Sequence, residues 1–235
     1  MALHLLAIGN NYRGTLNELP DCELDAQNIS ELFAPYCESV TTLLSKGRES
    51  IVKATTKFLS KLGKNDLGIL YYSGHGTQTA VNMKISEAIV CNDVRLIYDF
   101  ELRSLLNERA KGSMLAMAAD CCYSGGLSRG IQGAKRMIPA SRCIKHRIER
   151  PARMPKGPEA LYTAAGKEPS YSTGQGGAWT LEFMDAFADR KAKTTLPALH
   201  KQIIKHLPSD EWPQHPTFEC ANALAGRTLK SFVPK

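Results

Sequence analysis

Two short stretches of this chain carry the residue types of nucleophilic catalysis. The first is Ser73-Gly74-His75-Gly76, and the second is Asp120-Cys121-Cys122-Tyr123-Ser124-Gly125-Gly126. Each follows a short apolar run, Leu67 to Tyr72 and Met114 to Ala119, of the length expected for a buried strand. Parallel sheets bind ligands beyond the carboxyl ends of their strands, so two neighbouring strands of this kind would bring an imidazole and a thiol to one rim. A thiol of ordinary pKa ~8.5 becomes a useful nucleophile beside a proton acceptor. Side chains alternate faces along a strand, which puts Asp120 and Cys122 on one side and Cys121 on the other. The local pattern therefore assigns Cys122 as the nucleophile, His75 as its partner and Cys121 as a buried core thiol. The glycines flanking His75 permit close approach of a substrate backbone. A histidine at a strand end can also serve only to tie down a loop, and the thiol partner is what favours catalysis here.

A carboxylate beside a thiol opposes thiolate formation, so Asp120 makes more sense facing a cation. Asp25 gives the same hint. It lies three residues after Cys22 and four before Ile29, on the apolar face of a helix for which Asp21 is a good N-cap. An acidic first turn is common without any ligand, because it suits the helix dipole. Two carboxylates in one cleft would instead bind an Arg or Lys side chain through charge-assisted hydrogen bonds.

The elements that must position these residues are legible as alternating short and long apolar patterns. Strands are expected at Leu3 to Ile8, Ser39 to Leu44, Leu67 to Tyr72, Glu87 to Cys91, Met114 to Ala119, Ala160 to Ala165 and Pro216 to Cys220. Helices are expected after Asp21, at Glu49 to Leu62, Asp99 to Arg109, Ala178 to Asp189 and Leu196 to His206. Such alternation predicts an α/β fold, a three-layer sandwich with a mainly parallel central sheet covered by helices on both faces. The 235 residues fit one domain, 1–235, long enough to bury a core without staples. No apolar run approaches the ~18 residues of a membrane span, and the first residues read as an opening strand and not a leader.

Seven cysteines, with no CxxC pair, do not describe a disulfide framework or a zinc site. They point to a reducing compartment, and the expected location is cytoplasmic. The net charge of +7 is concentrated between Leu127 and Gly157, which holds nine basic residues and one acid, Glu149. The basic residues are Arg129, Lys135, Arg136, Arg142, Lys145, Arg147, Arg150, Arg153 and Lys156. The remainder is nearly neutral, so the pattern does not point to nucleic acid or a membrane as partner. Residues 127–158 read as a basic, mobile loop, since ~30 residues without periodicity are usually functional or disordered. Gly174-Gln175-Gly176-Gly177 completes no phosphate-binding motif and reads as a turn.

At these residues the chain resembles the caspase-like cysteine peptidases, and most closely their metacaspase branch. The resemblance runs through Leu5 to Leu19, Cys22-Glu-Leu-Asp25-Ala26, Tyr71-Tyr-Ser-Gly-His75-Gly and Asp120-Cys-Cys122-Tyr-Ser-Gly125, with a weaker match from Gly177 to Phe183. His75 lies 47 residues before Cys122, close to the spacing of the caspase pair. The resemblance implies a caspase-like fold, a Cys122/His75 dyad and an oxyanion hole from the backbone N–H groups of Cys122 and Gly76. It also implies that Asp25, Asp120 and Ser73 line a pocket for the basic residue before the scissile bond. The partners would be proteins or peptides with Arg or Lys at that position, with room for a regulatory partner protein. No cofactor is expected. Several metacaspases carry an acid-rich, calcium-binding insertion after the histidine loop, but Thr77 to Glu87 holds Glu87 as its only acid. The basic loop of such an enzyme would be cut by the enzyme itself or would dock at its acidic pocket; the plainer alternative is a solvated loop. A non-catalytic module that binds a partner through the same cleft is the competing function, and it has no need of an activated thiol.

Overall fold

The computed structural model describes residues 1–122, 134–146, 148–165, 169–191, 193–228 and 231. The expected Ser124-Gly125-Gly126 turn, Arg129 and Arg147 lie outside the described residues.

In chain order the strands are β1 (Leu3–Gly9), β2 (Ser39–Leu44), β3 (Leu67–Ser73), β4 (Gly76–Val81), β5 (Lys84–Val90), β6 (Leu96–Tyr98), β7 (Met114–Asp120), β8 (Ala134–Lys135), β9 (Ala160–Thr163), β10 (Tyr171–Ser172) and β11 (Thr217–Cys220). The helices are α1 (Cys22–Phe33), α2 (Arg48–Ser60), α3 (Asp99–Leu106), α4 (Ala178–Ala188), α5 (Leu196–Ile203) and α6 (Asn222–Ala225). Six strands form the central sheet in the order β11-β9-β7-β3-β1-β2. All neighbours are parallel except β11 against β9.

Strand alternation sorts the core into two layers. Leu3, Leu5 and Ala7 of β1 face the side packed by Ala26, Ile29 and Phe33 of α1 and by Trp179, Phe183 and Phe187 of α4. Leu6 and Ile8 face the opposite side with Ile51, Phe58 and Leu59 of α2 and Leu102 and Leu106 of α3. Helices thus cover both faces, as the sandwich expectation requires. Each large apolar side chain buried in this way is worth roughly 1.5–3 kcal/mol.

The sequence reading misses the two small sheets outside the central one, β4-β5-β6 and β8-β10, and overextends two helices. Thr77 to Glu87 lies in an antiparallel hairpin, and β4-β5-β6 make a separate three-stranded sheet after the histidine. Only the end of β5 was expected, as Glu87 to Cys91, because the two-residue turn at Asn82-Met83 has positive φ at both positions without a glycine to mark it. The helix expected to run to Arg109 stops at Leu106, and the one expected to His206 stops at Ile203.

Strands from both sides of the basic loop share the central sheet, since β9 follows the loop and pairs with β7, which precedes it. Chain cleavage within the loop would therefore leave the core intact. A nicked protein is expected to elute as one species in native gel filtration and to resolve into two bands only under denaturing conditions. Separation of the fragments in native buffer would contradict this topology.

Candidate active site

β3 and β7 are adjacent, and Ser73 is in register with Asp120. Their carboxyl ends therefore open at one rim, which carries His75 and Gly76 on one side and Cys121 and Cys122 on the other. The two loops are pressed together: a Cβ on Gly76 would overlap the backbone carbonyl of Cys122. Only glycine fits there. Cys121 packs into the core beside Tyr72 and Met117, as alternation predicts.

His75 is 3% exposed, and its ring is held in one orientation. Nε2 lies 2.7 Å from the backbone carbonyl of Asn17, so this nitrogen carries the proton and donates it. Nδ1 is buried without a hydrogen-bond partner. The His75 backbone is fixed by two buried tyrosines: its N–H donates to the Tyr12 hydroxyl at 3.0 Å, and the Tyr72 hydroxyl donates to its carbonyl at 2.9 Å. Burial pulls the imidazole pKa down to about 4, against the opposing effect of the Asn17 and Arg136 carbonyls. The Cys122 thiol is pushed up to about 12, chiefly by burial. At neutral pH both groups are therefore uncharged. The sulfur makes its hydrogen bonds to Ser170, accepting from the backbone N–H at 2.8 Å.

The cleft is filled by one residue of the basic segment. Arg136 has 0% exposure. Its Nη2 donates to Asp25 at 2.7 Å and to Asp21 at 2.9 Å. Its Nη1 donates to the Ser73 hydroxyl at 2.6 Å and lies 3.3 Å from an Asp120 carboxylate oxygen. Ser73 in turn donates to Asp25 at 2.7 Å. The helix α4 supports Asp120, whose Oδ2 accepts from the Thr180 hydroxyl at 2.6 Å and the Thr180 N–H at 3.2 Å. Gly177 leaves room for this arrangement, because a Cβ there would overlap the Asp120 carboxylate and crowd the guanidinium.

Asp25, Asp120 and Ser73, drawn from three separate elements, thus meet around one cation, the chain's own Arg136. Asp21 corrects the reading made from sequence. It occupies the N-cap position of α1 but makes no side-chain capping bond. Its carboxylate instead binds Arg136, Ser172 and the turn after β10. The bond to a buried guanidinium outweighs a cap worth ~1 kcal/mol. That turn, Gly174 to Gly177, does cradle an anion, but the anion is Asp21. Arg136 itself could not be singled out among nine basic residues, since nothing local distinguishes it.

Burial raises the Asp120 pKa to about 6, with Asp25 and Asp21 adding to the rise and Arg136 opposing it. Arg136 is held well above its ordinary value: burial works against its charge, but Asp120, Cys22, Asp25 and Asp21 outweigh it. Asp21, Cys22 and Asp25 place potential metal ligands within 4.8 Å of one another. Cys22 is a poor donor there, because burial pushes its thiol up to about 12, and the guanidinium already supplies the positive charge.

The Arg136 backbone is placed with equal care. Its carbonyl oxygen accepts from Gly76 N–H at 3.0 Å and Cys122 N–H at 3.4 Å, and its own N–H donates to the Ser170 carbonyl at 3.1 Å. The two residues before it, in β8, pair antiparallel with β10. After it, Ile138 N–H donates to the Gly76 carbonyl at 3.3 Å.

A family model described as "Caspase domain" matches residues 3–225. The chain belongs to the caspase domain family of cysteine peptidases. It is similar to Metacaspase-9 of Arabidopsis thaliana, 33% identical over 138 residues that cover 51% of this chain and 42% of that protein. Metacaspase-7 of the same plant is 32% identical over 162 residues, covering 62% of this chain and 40% of the relative. Metacaspase-1 of Candida glabrata is 30% identical over 142 residues, covering 51% and 36%. The chain thus spans less than half the length of these relatives. Among solved structures, a protein of Geobacter sulfurreducens superposes with a TM-score of 0.79 at 24% identity, covering 97% of this chain and 98% of that one. Caspase-1 of Spodoptera frugiperda gives 0.58 at 12% identity, covering 93% and 85%. At these identities the structural matches bear on the fold alone. The caspase-like sandwich is the fold of this chain. No helix among the described residues is long and apolar enough to cross a membrane.

Proposed function

We propose that this caspase-family protein is an endopeptidase that cleaves after basic residues, acting through Cys122 and His75, and that its first substrate is its own Arg136–Met137 bond. One observation carries this reading: Arg136 is seated as a substrate would be. Its side chain lies among carboxylates, its carbonyl points at two backbone N–H groups, and its flanking strand pairs with β10. Pairing an extended peptide with a sheet edge is a general mode of peptide binding. A partner-binding module would have no reason to seat a peptide carbonyl on the backbone N–H of a buried cysteine.

The chemistry follows from the protonation states. Thiol and imidazole are both neutral, so the thiol proton passes to His75 Nδ1 as sulfur attacks the Arg136 carbonyl carbon. Asn17 fixes the tautomer that leaves Nδ1 free to accept. The developing oxyanion stays on the Gly76 and Cys122 N–H groups, donors of the kind that often contribute most to acyl transfer. The protonated imidazole then gives its proton to the Met137 nitrogen as the peptide bond breaks. Water, activated by His75, hydrolyses the thioester and restores the thiol. The Thr77–Glu87 hairpin offers Glu87 as its only acid, a poor donor set for calcium, and no step needs an ion.

Until that bond is cut, Arg136 also blocks the cleft, so the loop is both substrate and restraint. The mass spectrum of the incubated full chain tests the reading. Fragments ending at Arg136 and beginning at Met137 are expected, and none from Cys122→Ala. Fluorogenic peptides with Arg, Lys or Asp before the reporter group then test specificity, with Asp inert. Identical intact masses and no hydrolysis of any basic peptide would refute the reading.

The acidic pocket predicts a pH dependence. A basic substrate needs Asp120 ionised, and the Asp120 pKa is about 6 with a guanidinium present. An emptied pocket loses that stabilisation, so the carboxyl holds its proton to higher pH. Affinity for Arg peptides is therefore fully present well above this value and falls as pH drops through it. The acid limb of kcat/KM is expected at or above pH ~6, since that ratio reports groups of the free enzyme. In Asp120→Asn the limb should move down while overall kcat/KM drops. A limb that stays in place would assign it to another group.

A further inference from the structure

Resting on the reading above, we infer that Asp21 is a specificity-determining residue that makes this pocket select Arg over Lys. The pocket recognises Arg136 entirely through the two terminal nitrogens, because Nε has no hydrogen-bond partner. The two nitrogens are served by different groups. Nη1 meets Ser73 and Asp120, and Nη2 is shared between Asp25 and Asp21. The division matches a planar fork, which presents donors at two separate points. A lysine carries one terminal nitrogen with three protons. It can satisfy acceptors around a single point, so at least one of the outer groups is left facing nothing.

Asp21 is built for the second point. Its Oδ1 faces Nη2 at 2.9 Å, and it is 1% exposed. Its Oδ2 takes no part in recognition but is anchored by three donors, the Ser172 hydroxyl at 2.5 Å, Gly174 N–H at 3.2 Å and Gly176 N–H at 3.1 Å. The carboxylate is therefore held from behind with one oxygen aimed into the pocket. Asp25 and Ser73 are already linked to each other, and Asp120 to Thr180, so a pocket without Asp21 would still hold one ammonium group. The third carboxylate is surplus for a lysine, whereas for an arginine it takes the second proton of Nη2, which Asp25 alone leaves unserved.

The test uses the full chain after self-cleavage and two peptides that differ only in Arg or Lys before the reporter group. The wild type is expected to favour Arg by about 10- to 100-fold in kcat/KM, the range of one charge-assisted hydrogen bond. In Asp21→Asn the amide oxygen can keep the three rear donors, which turns the NH2 group toward Nη2, donor against donor. Arg turnover should then fall by at least the wild-type preference while Lys turnover changes less than about threefold, so the ratio approaches one or reverses. Ser172→Ala is the second variant. It frees Asp21 to turn while leaving Asp25 and Asp120 in place, and it should lower the Arg:Lys ratio in the same direction. The iodoacetamide reaction rate of Cys122 checks that each variant retains its nucleophile. Equal wild-type rates for Arg and Lys would overturn the assignment of Asp21 and leave the endopeptidase reading standing. So would a ratio that neither variant alters, or that Ser172→Ala leaves unaltered if Asp21→Asn does not fold. If the wild type hydrolyses no basic peptide at all, both fall.

Discussion

Arg136→Gln is expected to abolish cleavage of the 136–137 bond and to raise the turnover of added Arg peptides at least ~10-fold relative to uncut protein. Both effects come from one side chain. Gln keeps a polar group of similar length but removes the cation that three carboxylates surround. The tethered occupant then loses most of its grip. A peptide competing with a tethered arginine sees a pocket that is free only a small fraction of the time, and its apparent affinity falls by that fraction. Releasing the occupant restores it. Breaking a buried ion pair by removing one partner commonly costs 3–5 kcal/mol, so a lower Tm should accompany the gain, lessened by water entering the opened pocket. Uncut wild type supplied as Cys122→Ala gives the occupied reference for binding. Peptide binding that is equal in Cys122→Ala and in Cys122→Ala/Arg136→Gln would show that Arg136 does not block the site.

The second large effect concerns His75. His75→Ala is expected to lower kcat by ~10²–10⁴ on every substrate, with KM for Arg peptides nearly unchanged. The split follows from the geometry. In the proposed reaction the pocket acids and the oxyanion donors bind the substrate, whereas His75 Nδ1 makes no hydrogen bond and is left to take the thiol proton. The sign of the pH effect can also be worked out. Burial brings the imidazole down to about 4, so it is neutral and able to accept a proton throughout pH 5–8. Only below that value should protonation of His75 cost activity. The limb from Asp120 lies higher, so the two are separable. Tyr12 and Asn17 act through His75, by holding its backbone and its tautomer. A His75→Ala variant with KM raised as much as kcat is lowered would show instead that the imidazole serves binding.

Much of this site is legible in the linear chain. His75, Cys122 and Cys121 follow from strand period and local residue type, because the rim of a parallel sheet is fixed once two apolar runs are recognised. Asp25 and Asp120 stand out as charges on otherwise apolar faces. Asp21 was visible too, but its position before a helix suggested a cap, and the local preference concealed a partner 115 residues away. The hairpin after His75 escaped notice because its turn carries Asn82 and Met83 at positive φ without the glycine that usually signals it.

What the sequence determined by itself was therefore the fold class and the family, together with Cys122, His75, Asp25 and Asp120 as candidates, all of which are set by patterns spanning a few residues. Only the tertiary structure decided which of nine basic side chains enters the pocket. That choice depends on the pairing of β8 with β10 and on the distance from that pairing to Gly76, both long-range and set by packing. It also brought Asn17, Ser170 and Asp21 to the site, through backbone groups or through a carboxylate whose partner lies far along the chain. Local residue types carry no record of such contacts, because a backbone carbonyl or a surface-like Asp reads the same wherever it points.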